Sequence, residues 1–160
     1  HHWDRDLVLG AWQKGALSVN VYAFPGLVMF NHSVEAYFRN SLALLDRVTR
    51  HDLFYYNHPV YTKVRDRVPS YYGETAAIEN CIVADGCLLE GSAKDCVLFR
   101  QVTLKAGAQI QNCIAMNDTV IGDDCRLEYV IFDKDVTVRP GTQLIGTPSK
   151  PIMIKRGEIV

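Results

Sequence analysis

Apolar residues recur at short, regular intervals over the second half of the chain. The positions, separated mostly by six and sometimes by five residues, are Ile78, Val83, Leu89, Ala93, Leu98, Leu104, Ile110, Ala115, Ile121, Leu127, Phe132, Val138 and Leu144. From Leu98 the intervals run six, six and five and then repeat, so every third position recurs after 17 residues. Since three short strands per coil give this period, the pattern predicts a β-solenoid of about four coils. A plain antiparallel sandwich is the alternative.

A second column of residues stands two positions before the first and contains only small or β-branched side chains. Its members are Ala76, Cys81, Cys87, Gly91, Cys96, Val102, Ala108, Cys113, Thr119, Cys125, Val130, Val136 and Thr142. Alternating large and small inward side chains allow a narrow triangular solenoid to close, and Asp85-Gly86 and Gly122-Asp123 suit its corners. All five cysteines lie in this column, which predicts buried, inert thiols without disulfides and a reduced, cytoplasmic setting.

The first 68 residues follow a different pattern. Residues 4–15 predict a short amphipathic helix that ends at Gly15, and residues 17–24 and 27–30 predict two strands around a Pro-Gly turn. Ser33 predicts the N-cap of a further helix that reaches Leu45. Three parts are therefore expected: a remnant of a larger α/β domain over 1–45, a surface linker over 46–68 and a solenoid domain over 69–160.

Composition narrows the classes of function. The chain has 160 residues, 48% apolar and 22% charged, with 17 Lys and Arg against 18 Asp and Glu, so its formal net charge is −1. A nearly neutral chain lacks the broad positive field used for nucleic-acid or anionic-membrane binding. No apolar run approaches the ~20 residues that span a bilayer. We expect neither a nucleic-acid nor a membrane partner.

The histidines argue against the enzymes that use hexapeptide solenoids. Acyltransferases of this kind use a histidine base on a coil, and the carbonic anhydrases hold zinc with three histidines. All the histidines of this chain precede the coils, namely His1, His2, His32, His51 and His58. The carboxylates of Asp123-Asp124 and of Asp133 and Asp135 are interpreted as turn residues. No catalytic residue or metal ligand is predicted.

Residues just before the apolar positions point outward and define three faces. On the first face they are all apolar and β-branched: Ile82, Val97, Ile114 and Ile131. The second face carries Leu88, Thr103, Val120 and Thr137, and the third carries Ser92, Gln109, Arg126 and Gln143. A bare apolar column would form an exposed patch, so we expect the first face to be covered by the N-terminal segment or by another subunit.

Several segments, in this order, closely resemble the C-terminal portion of bacterial glucose-1-phosphate adenylyltransferase, also called ADP-glucose pyrophosphorylase. They read DRDLV, VNVYAFPG, SVEAYFRNSLALLD, PVYTKVRDRVPSYYG and AIENCIVADGCLLEG. The last two are most similar to the D-type subunit found beside a catalytic partner. The resemblance implies a mainly β fold, a left-handed parallel β-helix after a nucleotidyltransferase domain. It also implies a tetramer, homo-oligomeric or with a catalytic subunit, that is controlled by metabolite effectors.

Two departures from that family bear on catalysis. Its glycine-rich nucleotide loop is not in this sequence, and Phe30 stands where catalytic members have an aspartate that helps to hold Mg²⁺. A phenyl ring offers no oxygen ligand to that ion. We therefore expect no cofactor in this chain, with ATP and Mg²⁺ bound by a catalytic partner. We also expect the chain alone to be inactive.

The resemblance also suggests residues for an effector. Lys134, Lys155 and Arg156 match positions at or near which catalytic relatives have basic residues that contact the effector's phosphate, and solvated surface charges are the alternative. Three functions remain open: a regulatory, scaffolding part of a non-catalytic subunit; a catalytic adenylyltransferase whose catalytic part lies elsewhere; and an unrelated hexapeptide acyltransferase. The absence of a histidine from the coils argues against the third.

Overall fold

The structure, a computed structural model, describes residues 2–54, 60–61 and 66–160. In this part of the chain, fifteen short strands form three parallel sheets of five strands each. Sheet I contains β3 (Ile82–Val83), β6 (Val97–Leu98), β9 (Ile114–Ala115), β12 (Val130–Phe132) and β15 (Ile152–Ile154). Sheet II contains β1 (Tyr71–Tyr72), β4 (Leu88–Leu89), β7 (Thr103–Leu104), β10 (Val120–Ile121) and β13 (Thr137–Val138). Sheet III contains β2 (Ala77–Glu79), β5 (Ser92–Lys94), β8 (Gln109–Gln111), β11 (Arg126–Glu128) and β14 (Gln143–Ile145).

The strand register confirms the predicted 17-residue period. Ile121 pairs with Leu104 on one side and with Val138 on the other, as the repeat requires. Each coil therefore contributes one strand to each sheet, and the predicted parallel β-solenoid is confirmed. The ladder is longer than predicted at both ends, because β1 precedes Ile78 and β15 follows Leu144.

The large and the small inward side chains pack together into one continuous apolar core. Leu104, Ile121, Leu127 and Phe132 have no exposed surface, and most of the smaller partner residues are equally buried. One corner departs from the regular spacing: between β4 and β5 only Glu90 and Gly91 make the turn, where later coils use four residues. A Cβ at Gly91 would collide with the carbonyl of Ala108, so only glycine fits this short corner.

Helices precede the solenoid. A π-helical segment, Trp3–Leu9, continues into α1 (Gly10–Gln13), and Gly15 follows with φ +69°. Helix α2 is Val34–Ala43, and the Ser33 hydroxyl accepts a hydrogen bond from the Ala36 amide at 3.1 Å, which confirms the predicted N-cap. Helix α3 is Arg47–Phe54.

The two strands predicted between α1 and α2 are wrong for this structure. Residues 17–24 and 27–30 are described, and they form no strand. An isolated pair of strands is at best marginally stable in water, and no described strand of the solenoid pairs with either run. Their apolar side chains consequently lie exposed, Val21 to 93% and Tyr22 to 80%.

Helix α3 lies in the segment that was predicted to be a linker. Its start is stabilised by Asp46, whose carboxylate accepts a hydrogen bond from the Thr49 amide at 2.7 Å. That amide and the Thr49 hydroxyl lower the pKa of the Asp46 carboxyl. Arg50 then donates to the Leu44 carbonyl at 2.7 Å and joins α3 to the end of α2. Residues 55–59 and 62–65 of the predicted linker lie outside the described residues, as do His1 and His58.

Candidate functional site

The outward column of sheet I is covered by helix α2. Val97, Ile114 and Ile131 form a buried cluster with Phe38 of the helix, and Ile114 has no exposed surface. Ile82 packs at the margin of the same cluster. Of the two predicted ways of covering the column, this structure has the intramolecular one, so these side chains offer little surface to another subunit. Met153 extends the column by one strand, pairs with Ile131 and is 46% exposed.

A corner between sheets I and II brings together the three basic residues implied for an effector. Lys134 lies in the turn between β12 and β13, and Lys155 and Arg156 lie in the turn after β15. The Gly157 amide donates to the Lys134 carbonyl at 3.1 Å, so the two turns stack directly on each other. All three side chains are exposed and can be reached by a ligand.

Acidic residues balance this basic corner. Arg156 Nε lies 2.8 Å from Asp135 Oδ2. The Lys134 amide donates to the Asp133 carboxylate at 2.7 Å, and the Lys155 amide donates to Glu158 at 3.0 Å. Three carboxylates therefore stand among three cations, and an anion that binds here must compete with Asp135 for the Arg156 guanidinium.

Arg100 occupies the equivalent corner position two coils earlier and was not singled out by the sequence pattern. The Asp118 amide donates to the Arg100 carbonyl, and the Asp135 amide donates to the Asn117 carbonyl. These bonds stack Arg100, Asn117, Lys134 and, through the Gly157 amide, Arg156 in one column. Among the described residues, Arg100 Nε is buried and has no hydrogen-bond partner. The sequence does contain a signal for this column, because Arg100, Asn117 and Lys134 follow one another at intervals of 17 residues. The apolar positions alone do not show it, since these residues lie in the turns.

The cysteines lie inside the solenoid, as their positions in the column of small and β-branched residues predict. Cys87, Cys96, Cys113 and Cys125 are buried, Cys81 is half-buried, and all five are free thiols. Burial raises the pKa of Cys87, Cys96 and Cys125, and hydrogen bonding to the Cys96 thiol raises the pKa of Cys81. A protonated, enclosed thiol is a poor nucleophile, so the column serves packing.

The position implied for an Mg²⁺ ligand does not fit a metal. Phe30 is 72% exposed and presents only hydrocarbon, while its carbonyl and the neighbouring Asn31 side chain both accept hydrogen bonds from Asn40. Within residues 2–54, 60–61 and 66–160, no group of three or more His, Cys, Asp or Glu side chains is arranged to hold a metal ion. The same residues contain no helix long and apolar enough to cross a membrane.

Comparison with known proteins links this geometry to a family. A family model described as "GlmU-like, C-terminal hexapeptide" matches residues 67–150, just over half of the chain. Among the similar proteins is the "Glycogen biosynthesis protein GlgD" of Bacillus subtilis (strain 168), which is 37% identical over 166 residues. The alignment covers 96% of this chain and 48% of that protein.

Two further relatives extend the similarity. GlgD of Geobacillus stearothermophilus is 42% identical over 120 residues, which cover 75% of this chain and 35% of the relative. The "Glucose-1-phosphate adenylyltransferase" of Acetivibrio thermocellus is 30% identical over 138 residues, 86% of this chain and 32% of the relative. The matched parts are the C-terminal regions of these proteins. The chain spans about half the length, or less, of the curated relatives that it matches.

Proposed function

Since the chain belongs to the GlmU-like C-terminal hexapeptide family, we propose that it is the regulatory and scaffolding C-terminal part of a glucose-1-phosphate adenylyltransferase subunit. The subunit would be of the GlgD kind and act in glycogen biosynthesis without catalysing the reaction itself. The observation that carries the proposal is the alignment with B. subtilis GlgD, which extends over 96% of the chain and thus includes both the helices and the coils.

The chemistry of the described residues supports a non-catalytic role. The coils contain no histidine, and the Phe30 side chain offers no oxygen where a metal ligand is implied. In this proposal ATP and Mg²⁺ bind to a catalytic partner subunit. The buried, protonated thiols suit a reducing compartment such as the cytoplasm.

The basic corner is proposed as the site of a sugar-phosphate effector. Lys134, Lys155 and Arg156 supply donors that match phosphate oxygens, and Arg100 adds a further guanidinium along the same column. In this proposal the ion pair between Arg156 and Asp135 lowers the affinity, because the phosphate must compete with the Asp135 carboxylate for the guanidinium. Asp135→Asn is therefore expected to tighten phosphate binding, and Lys134→Ala to weaken it, with Lys105→Ala at a different corner as the control.

Co-expression with a catalytic glucose-1-phosphate adenylyltransferase of the same organism tests the proposed function. The tagged chain should retain the catalytic subunit on an affinity column and alter its response to sugar phosphates. The purified chain alone should produce no ADP-glucose from ATP, Mg²⁺ and glucose 1-phosphate. Failure of the two proteins to associate would refute the scaffolding role, and turnover by the chain alone would favour the catalytic alternative.

A further inference from the structure

Three of the five cysteines form a ladder inside the solenoid. They immediately precede β3, β6 and β9, which are neighbours in sheet I and pair in register, so the thiols stack on three successive coils. The members of this thiol ladder are Cys81, Cys96 and Cys113. Cys87 and Cys125 stand apart from it, because their in-register neighbours on the adjacent coils are Ser70, Val102, Ala108 and Thr142.

The three side chains of the thiol ladder have the same orientation. Each sulfur lies 3.1 to 3.2 Å from the carbonyl oxygen of the residue two positions before it. Each also lies 3.4 to 3.7 Å from a carbonyl oxygen of the following coil, and these carbonyls belong to Ala93, Ile110 and Leu127, which pair in register. Because the surroundings repeat from coil to coil, the sulfur atoms have the spacing of the strands, ≈ 4.8 Å.

Cys81 and Cys96 are the pair of the ladder that solvent can reach. In the described part of the chain β3 is the outermost strand of sheet I, and Cys81 beside it is half-buried, whereas Cys96 is fully buried. The two thiols are hydrogen-bonded to each other, which raises the pKa of Cys81, and burial raises the pKa of Cys96. The Cys113 amide donates to the Cys96 sulfur at 3.4 Å, a contact that stabilises negative charge on that atom once its proton is replaced.

We propose that the thiols of Cys81 and Cys96 form a binding site for one soft metal ion of the class that takes two thiolate ligands in a line, of which Hg(II) fits best. An ion midway between the two sulfur atoms would lie about 2.4 Å from each, close to the ≈ 2.3 Å of a zinc–thiolate bond. Binding breaks two S–H bonds, forms two S–metal bonds and releases two protons to water, with no oxidation. The inference goes beyond the proposed function and does not depend on it.

The surroundings of the pair select this class of ion. A structural zinc site needs four ligands, and the described part of the chain holds no group of three or more His, Cys, Asp or Glu side chains that could bind a metal. The side chains of the surrounding core, Val83 and Leu98 among them, are apolar. Thiolates prefer soft ions to Mg²⁺ or Ca²⁺. A divalent ion neutralises both thiolates, whereas Ag(I) or Cu(I) would leave one negative charge in this core, so Hg(II) should bind most tightly.

Mercuric chloride added to the full chain in excess glutathione tests the site, with the bound metal counted by native mass spectrometry. The unaltered chain should retain one Hg(II), because two thiols held side by side act at a higher effective concentration than separate glutathione thiols. Cys81→Val and Cys96→Val should each lose it. Val130 is buried at the next position of the same column, so the fold accommodates valine there. Ag(I) should be removed at glutathione concentrations that leave Hg(II) bound.

Matched controls remove a thiol outside the pair. Cys87→Val, Cys125→Ala and Cys113→Val should each retain one Hg(II), since Cys113 contributes only its backbone amide. X-ray absorption should show two sulfur neighbours of the metal at about 2.4 Å. Hg(II) should raise the melting temperature of the unaltered chain but not that of Cys96→Val.

Circular dichroism verifies that every variant is folded, and Cys96→Ala repeats the test with a smaller side chain. An unaltered chain that retains no metal, retention by Cys96→Val, or loss of the ion from Cys87→Val or Cys113→Val would overturn the proposal. These measurements involve neither nucleotide nor sugar phosphate nor a catalytic subunit, so their failure leaves the proposed function to be judged by its own experiment.

Discussion

The buried thiols make the stability of this protein sensitive to alkaline pH. Burial raises the pKa of Cys96 above its ordinary value of 9.0, so this thiol stays protonated in the folded chain when it ionises in the unfolded chain. The stabilising contribution is complete well below pH 9.0, where the thiol is protonated in both states, and is lost progressively as the pH rises through that value. For Cys96 the free energy of unfolding then falls with pH, by at most about 1.4 kcal/mol per pH unit once the unfolded thiol is fully ionised.

We therefore predict that the free energy of unfolding falls between pH 8 and pH 10, and that Cys96→Ala makes the fall less steep. Urea unfolding at several pH values measures both slopes. Comparing the variant with the unaltered chain removes the contribution of tyrosines and lysines, which titrate in the same range. Equal slopes for the two proteins would show that Cys96 is not held protonated by the fold.

The effector residues show what a single chain's pattern can and cannot predict at the scale of the residue. Resemblance pointed to Lys134, Lys155 and Arg156, and the stacked turns bring them to one corner. The ion pair between Arg156 and Asp135 joins residues 21 positions apart. No local spacing indicates that pair, because the insertion between β14 and β15 breaks the 17-residue period just before Arg156.

At the scale of the strand, inward and outward residues alternate, so adjacent positions should respond oppositely to the same substitution. Ile121 is fully buried between Leu104 and Val138, whereas Val120 points outward on sheet II. Ile121→Asp buries an unpaired carboxylate and should cost about 3 to 5 kcal/mol. Val120→Asp should cost far less. Urea unfolding of the two variants measures the difference, and equal losses would contradict the register.

The contact between α2 and sheet I changes what is expected of the outward column. Ile114→Lys would place a charge beneath Phe38, in a cluster from which water is excluded. We predict that the free energy of unfolding falls by about 3 to 5 kcal/mol, because the new charge would be buried without a partner. Val120→Lys is the matched control, because Val120 lies on the same coil but is not part of the cluster that α2 covers. A folded Ile114→Lys variant of unchanged stability would mean that α2 does not seal this face.

Helices and strands could be predicted from the sequence where the chain itself supplies the surface against which their apolar residues pack. The solenoid strands and α2 repeat an apolar pattern whose partners lie within the chain, and both were predicted. Residues 17–24 alternate just as clearly, yet no strand in the described part of the chain pairs with them. Helix α3 was missed because its residues show no clean apolar period, although its capping carboxylate, Asp46, is a signal that the sequence carries.

The whole chain divides by burial into a segment that contributes little to stability and one that contributes most of it. Among residues 2–33 none is buried, and the side chains of Trp3, Trp12 and Phe24 are all more than half exposed. By contrast, α2 buries Ala36 and Phe38 and covers three residues of sheet I that would otherwise meet water. The stability of a solenoid is approximately a sum over its coils and the contacts between neighbours, so a segment that covers no apolar surface should contribute little to it.

Two truncations separate these contributions. A variant lacking residues 1–32 keeps Ser33 as the N-cap of α2 and should melt within a few degrees of the full chain. A variant lacking residues 1–45 loses the helix and exposes Val97, Ile114 and Ile131, so it should melt at a clearly lower temperature and aggregate. Calorimetry and light scattering measure both effects. If the shorter truncation lowers the melting temperature as much as the longer one, residues 1–32 stabilise the fold although none of the described ones is buried, and the prediction is wrong.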